Sequence, residues 1–331
     1  MNTLFVLLDG AEDHPHPLLD GKKPIHVAEM PFLRSGATHR FRTTGKAYTH
    51  LFLNEFFTGH PPDSSRAALE ALGLGLDMSG DRNAFRFSPA RFVDNMIYWI
   101  YDLEDVKDDI EFHIMDNLWI LEKYEPDINF FLEGRAVLTM EYSDVPDLPA
   151  PPVNTAYVEV PGDLGKLVNR VAEILNGVTN YPWGCGRIGH VHPGFKSLGK
   201  MTAISDSPTS LGICSSLGYD IRLVDELEDR FPVAVEALEH GNVFLHIDEV
   251  DEYSHQKDPF KKIDVLEHTD ELMEKYFSHA ERIVYFTDHG TSCVTGEHIL
   301  TDVPVWTTFE CNLKEGEITP LKEVIPGIMG Y

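Results

Sequence analysis

Leu4-Phe5-Val6-Leu7-Leu8-Asp9-Gly10 sets five apolar residues directly before an aspartate. Two later stretches repeat that grammar. Val243-Phe244-Leu245-His246-Ile247 runs into Asp248 and Asp251, and Ile283-Val284-Tyr285-Phe286 ends in Thr287-Asp288-His289-Gly290. Short, nearly unbroken apolar runs suit strands buried on both faces, as in parallel sheets. Met201-Thr202-Ala203-Ile204 adds a further strand, and helices are expected at Asn169 to Leu175, Pro208 to Leu217, Pro232 to His240 and Ile263 to His279. Strands alternating with helices predict an α/β fold, a doubly wound and mostly parallel sheet flanked by helices. Such sheets bind ligands outside the carboxyl ends of their strands. Asp9, Asp248 or Asp251, and Asp288 with His289 all fall there.

The middle of the chain reads differently. Residues 93–131 are rich in aromatics and acids (Tyr98, Trp99, Tyr101, then Asp102 to Asp109), and a Pro-rich stretch follows from Asp144 to Val153. The turn-rich Tyr181-Pro182-Trp183-Gly184-Cys185-Gly186 closes it. We read residues 90–182 as an inserted α+β cap or substrate subdomain, and residues 1–89 with 183–331 as the core.

Composition narrows the chemistry. Among 331 residues, 54 acids stand against 27 bases, a formal charge of -27. Nucleic-acid binding rests on phosphate neutralisation by Lys and Arg, so this balance argues against it, and equally against an anionic membrane surface. A small anionic substrate then needs cations in its site, which metal ions supply. Cys185, Cys214, Cys293 and Cys311 show no paired spacing, so reduced thiols and a cytoplasmic location are expected. The first ten residues lack a basic leader and read as a strand, not a signal peptide. No apolar run approaches the roughly 18 residues of a membrane span. A homo-oligomer is left open.

Spacing supplies the ligands. Asp251 and His255 are four apart, on one side of a helix, and can share a metal. Asp288 and His289 are adjacent at a strand end, and His298 lies nine residues beyond His289. With Asp9 this makes three carboxylates and three imidazoles. An aspartate after a strand is often only a helix cap, but three strand ends carrying Asp or Asp-His are harder to dismiss. Mixed Asp/His ligation suits Mn or Zn, with Mg as a further option, over Ca, which prefers oxygen throughout.

The order of motifs resembles the archaeal-type cofactor-independent phosphoglycerate mutases of the alkaline-phosphatase superfamily. Gly21-Lys22-Lys23-Pro24-Ile25 is similar to the family's GKTPLEAANTP segment. Arg66 with Leu69-Glu70-Ala71-Leu72-Gly73 is similar to RGPLEALGVG, and Trp183-Gly184-Cys185-Gly186-Arg187 to WGQGR. Asp251-Glu252-Tyr253-Ser254-His255 is similar to DEAGH, Thr287-Asp288-His289-Gly290-Thr291 to GDHST, and His298 with Pro304-Val305 to the closing H…PVP. The resemblance implies two divalent metal ions: one held by Asp251, His255 and His298, the other by Asp9, Asp288 and His289 together with a nucleophile. It implies metal-dependent phosphoryl transfer on a small phosphorylated metabolite through a phosphoenzyme, by a mutase or a phosphatase.

The sequence departs from that family at the nucleophile. The family has Ser in PGSD; here Arg42-Thr43-Thr44-Gly45-Lys46-Ala47-Tyr48-Thr49-His50 stands in its place. Matching Gly-Lys to Gly-Ser puts Lys46 there. Matching the helix expected over Leu51 to Phe57 puts Thr49 there, as its N-cap. Thr49 is the preferred nucleophile, with Thr44 or Thr43, or none at all, as alternatives. The cap strand Ile128 to Gly134 lacks the family's Arg-His pair, leaving Arg66 and Arg187 as substrate-binding candidates, with Arg86 and Lys196 behind them. The competing reading is a pseudoenzyme that keeps fold and metals and binds a ligand or partner without turnover. Gly184 to Gly189 fits G-x-G-x-x-G but lacks the strand and helix a dinucleotide site needs.

Overall fold

A computed structural model describes residues 2–100, 106–131, 134–151 and 154–330. Residues 101–105, 132–133 and 152–153, within stretches read above, lie outside the described residues. The chain divides into two compact units, Met1–Pro62 with His192–Tyr331, and Asp63–Val191. The segment expected as an insertion, 90–182, lies within the second unit. That unit also takes in the helix Arg66–Gly73, because the helix packs on the strands Asn83–Val93 and Val178–Gly186.

Among the described residues the first unit holds an eight-stranded sheet. Its order is Asp220–Leu223, Met201–Ser205, Asn242–Ile247, Leu4–Leu8, Ile283–Phe286, Asp302–Thr307, His39–Thr44 and Ile318–Thr319. Asp302–Thr307 runs against both its neighbours, and the other pairings are parallel. Leu4–Leu8 lies at the centre, wholly buried, which explains its unbroken apolar run.

Alternation divides the strand between two cores. Leu4, Val6 and Leu8 join Val243, Leu245 and Ile247 in one cluster, under the helices Leu227–His240 and Pro259–Phe277. On the opposite face Phe244 and Phe286 meet the helix Thr49–Thr58. Phe56 stacks on Phe286 at 4.5 Å between centroids, Phe52 on Phe286 at 6.0 Å, and Phe57 meets Phe244 edge-on at 5.4 Å. Aromatic pairs at these separations add to the burial of their area, and they anchor that helix with its first residue over the strand ends.

Several elements depart from expectation. The helix expected from Pro232 starts at Leu227 and carries Pro232 inside it, and the one expected from Asn169 spans Gly162–Ile174. The helix expected from Ile263 starts at Pro259, where Asp258 caps it by accepting from the Phe260 and Lys261 amides at 3.1 and 3.0 Å. The segment read as turns at Tyr181 to Gly186 is the end of a strand, Val178–Gly186, antiparallel to Asn83–Val93 with a register shift between Ala84 and Arg86. Pairing with Asn83–Val93 from Ala84 to Arg91 overrides the local turn chemistry of Pro182, Gly184 and Gly186.

The second unit is an antiparallel sheet with its own core. Asp127–Phe131, Arg135–Met140, Asn83–Val93, Met96–Trp99 and Thr155–Ala156 lie in that order. The helices Lys107–Asn117 and Gly162–Ile174 pack on it through Ile110, Ile114, Leu164, Leu167 and Val171.

Candidate metal centre

The carboxyl ends of three central strands gather the charged residues. Asp9 follows Leu4–Leu8, and Asp288 and His289 follow Ile283–Phe286. Asp248 follows Asn242–Ile247, and the short helix Glu249–His255 then carries Asp251 and His255 one turn apart. His298 comes from the strand His298–Ile299, which pairs with Gly290–Thr291. Gly10 turns the first loop at a positive φ of 58°, and a Cβ there would strike Asp251 and Thr291. Its bare backbone lets its amide donate to Asp288 Oδ1 at 3.2 Å.

The six residues expected as ligands come together. Asp251, His255 and His298 form one group whose ligand atoms lie within 4.8 Å of one another, and Asp9, Asp251 and His289 form another. His255 Nε2 lies 3.0 Å from Asp251 Oδ2 and 3.1 Å from His298 Nε2. His289 Nε2 lies 3.3 Å from Asp9 Oδ1 and 3.2 Å from Asp288 Oδ2.

The donor chemistry fits cations. His255 Nδ1 meets the Gly296 carbonyl and His298 Nδ1 the Ala47 carbonyl, each at 2.7 Å. A carbonyl only accepts, so both Nδ1 atoms carry hydrogen, and in neutral rings both Nε2 lone pairs face each other. His289 Nδ1 likewise meets the Gly290 carbonyl at 3.2 Å, turning its Nε2 lone pair toward Asp9 and Asp288. Asp288 Oδ2 is buried and has no hydrogen-bond donor among the described residues. Lone pairs and carboxylates aimed at one another inside a protein are costly unless a cation lies between them. Fixing each imidazole through its other nitrogen is the usual outer-shell arrangement of a metal site.

Electrostatics agree. Burial first, then repulsion from Asp288, Asp251 and Asp248, pushes the Asp9 carboxyl well above its usual range. Asp251 is held well below it: burial opposes this, but His255 and His298 prevail. Burial disfavours charge on His255, yet the Asp251 carboxylate outweighs burial and lifts that imidazole to about 9.

Two hydroxyls reach this cluster: Thr291 donates to Asp251 and lies 3.1 Å from His289 Nδ1, and Thr49 approaches from the other side of that ring. Thr49 Oγ lies 3.2 and 3.4 Å from the Asp9 oxygens and 3.3 Å from His289 Nε2. The expectation that it caps its helix is corrected. Tyr48 holds the cap position in extended geometry without a capping side-chain bond, and Thr49 is the first helical residue. Its oxygen therefore turns to the cluster and not to the helix amides. Lys46 pairs with Glu55 at 2.6 Å, Thr43 donates to the Thr319 carbonyl at 2.8 Å, and Thr44 ends the strand His39–Thr44.

Arg66 and Arg187 belong to the second unit. Arg66 bonds Glu70 at 3.0 Å beneath Trp183, while Arg187 is half exposed and 3.5 Å from Asp81. Arg86, buried against Glu70 and Trp183, is lowered by burial to about 9. His246 is the residue that sequence reasoning passed over: its Nε2 lies 2.8 Å from Asp9 Oδ2. The available signal was an imidazole inside an apolar, fully buried strand two residues before Asp248.

Comparison with known proteins gives the same direction. Residues 197–325 match the family model of the Metalloenzyme superfamily. The 2,3-bisphosphoglycerate-independent phosphoglycerate mutase of Pyrococcus horikoshii is 24% identical, over 91% of this chain and 86% of its own length. That of Methanopyrus kandleri is 26% identical, over 92% and 87%. A solved Pyrococcus horikoshii structure superposes with a TM-score of 0.73 at 19% identity, covering 99% of this chain and 97% of that one. The cofactor-independent phosphoglycerate mutase of Thermoplasma acidophilum superposes at 0.60 with 20% identity, covering 99% of each chain. Over most of its length the chain is similar to the cofactor-independent phosphoglycerate mutases, and residues 197–325 match the Metalloenzyme superfamily.

Proposed function

We propose that this chain transfers phosphoryl groups on a small phosphorylated metabolite with two bound divalent metal ions, Mn or Zn by the mixture of imidazole and carboxylate ligands. Asp251, His255 and His298 would hold one ion; Asp9, Asp288 and His289 would hold the other. Bound there, the ions supply positive charge that stabilises the phosphoryl oxygens and eases deprotonation of a hydroxyl. The observation that carries the reading is the placement of Thr49 Oγ, 3.2 Å from Asp9 and 3.3 Å from His289, at the head of an anchored helix.

In this reading Thr49 Oγ attacks phosphorus and its proton passes, through solvent, to the leaving oxygen, which departs as a hydroxyl. The Oγ–P bond forms as the bond to the leaving oxygen breaks, giving a phosphothreonine. A second hydroxyl, from substrate or water, then takes the phosphoryl group and returns Thr49. The positive end of the helix Thr49–Thr58 favours the anion at its first residue. Arg66 and Arg187 are the proposed anion-binding groups of the second unit. The relatives' names suggest a phosphoglycerate as the first substrate to try.

The test is turnover of an aryl phosphate, and interconversion of the phosphoglycerates, by protein stripped with chelator and reloaded with Mn or Zn. Turnover restored by metal and lost in Thr49→Ala supports the reading. Metal binding without turnover of any phosphate ester would favour a protein that keeps the site for binding alone.

A further inference from the structure

We propose that His246 is a positioning residue: its Nε2–H donates to Asp9 Oδ2, its tautomer is fixed by Ser205, and the pair aims Asp9 Oδ1 into the metal cluster. The proposal rests on the metal reading above.

The hydrogen-bond directions follow from counting protons. His246 Nδ1 lies 2.8 Å from Ser205 Oγ. That oxygen already accepts from the Ser207 amide at 2.9 Å. If Nδ1 also donated to it, the hydroxyl proton of Ser205, a fully buried residue, would need another acceptor. With Ser205 donating to Nδ1, every proton is placed. Nδ1 is then the acceptor, and Nε2 carries the hydrogen. Nε2 has two carboxylates near it, Asp9 Oδ2 at 2.8 Å and Asp248 Oδ1 at 3.7 Å. The second is beyond hydrogen-bond length, so the proton goes to Asp9.

The consequence is geometric. A carboxylate turns about one bond and presents either oxygen. With Oδ2 held by His246, Oδ1 is the oxygen 3.3 Å from His289 Nε2. Ser205 ends its strand and His246 is the penultimate residue of the adjacent one, both fully buried, so the holding group stands on rigid backbone. Outer-shell partners of this kind change metal affinity by about 10- to 100-fold when removed. A competing arrangement exists, because Asp9, His246 and Asp248 also lie close enough together to ligate a cation. It would require a lone pair on Nε2, and so the opposite tautomer.

Calorimetric titration of the full chain with Mn separates these. The wild type is expected to bind two ions. His246→Ala should bind the same number, with one site weakened by about 10- to 100-fold. His246→Gln, whose amide N–H reaches toward Asp9, should recover most of that loss, and Ser205→Ala should fall between. Melting in chelator and in Mn guards against misfolding: the variants should lose the Mn-dependent increment beyond any drop seen in chelator. Wild-type Mn affinity in His246→Ala, or equal drops in both melts, would make His246 a mere core residue. A third ion in the wild type that vanishes in His246→Ala would make it a ligand. Either result overturns the proposal, whereas a wild type that binds no Mn would instead defeat the metal reading.

Discussion

At the scale of single residues, Thr49 carries the sharpest expectation. Its oxygen does not cap its helix, so Thr49→Ala should cost about 1 kcal/mol or less from the lost contact with Asp9. Phosphoryl transfer should fall to background while Mn titration stays near wild type, and Thr49→Ser should keep turnover. Retained turnover in Thr49→Ala would move the nucleophile elsewhere. His255 gives a pH signature. Its imidazole, lifted to about 9 in the metal-free protein, stabilises that state fully below the ordinary value near 6.5, and the contribution is lost as pH rises through about 9. The same proton must leave before a metal ion binds. Mn affinity should therefore climb from neutral pH to about 9, with proton release that shrinks in His255→Ala; titration in buffers of different ionisation enthalpy measures it. The candidate ligands Asp9, Asp251, His255, Asp288 and His289 were legible because each stands beside a strand end or at helical spacing, and His298 only through its motif. The cap role of Thr49 was misread because a helix start shifts by two residues without changing its apolar pattern. His246 was missed because a histidine within an apolar strand looks like core until its partner is known.

At the scale of elements, Lys262 ties the helix Pro259–Phe277 to both site loops. It is fully buried, and its Nζ donates to the Gly10 carbonyl at 2.9 Å, to Thr291 O at 3.0 Å and to Asp13 Oδ2 at 3.2 Å. Asp13 in turn accepts from the Cys293 amide at 3.1 Å. Lys262→Met should leave a carboxylate buried without its partner, at a cost of about 3–5 kcal/mol. The two loops should loosen with it, and urea unfolding together with Mn affinity would register both; a variant as stable as wild type would show that Lys262 contributes little net. The sequence pattern identified the strands that Lys262 bridges, because strands buried on both faces are apolar throughout. It did not identify Lys262, since a lysine on a helix ordinarily reads as solvated. Nor did it find Val178–Gly186, because pairing with a partner ninety positions away leaves no local mark.

At the scale of the whole molecule, charge decides how the protein responds to its metals. The chain carries a net charge of -27, and four carboxylates, Asp9, Asp248, Asp251 and Asp288, repel one another at the strand ends. Folding the metal-free chain brings them together against that repulsion, with burial keeping His246 from compensating as a cation. A divalent ion bound to the folded state alone reverses the balance. At a concentration one hundred times its Kd it adds about 2.7 kcal/mol per site. For a protein of this size each kcal/mol moves the melting temperature by about 1–2 °C. The Mn-loaded chain should therefore melt several degrees above the chelated one, and more if both sites fill. The gain should shrink markedly in Asp251→Asn, which removes a ligand of one proposed site and a carboxylate that stands in two of the three groups close enough to hold an ion. Raising NaCl without metal should give a smaller gain, since mobile ions screen the cluster without entering it. Scanning calorimetry in chelator, in Mn and in NaCl separates the three conditions. Identical melting in chelator and in Mn would mean that the carboxylates at these strand ends hold protons, and not metal.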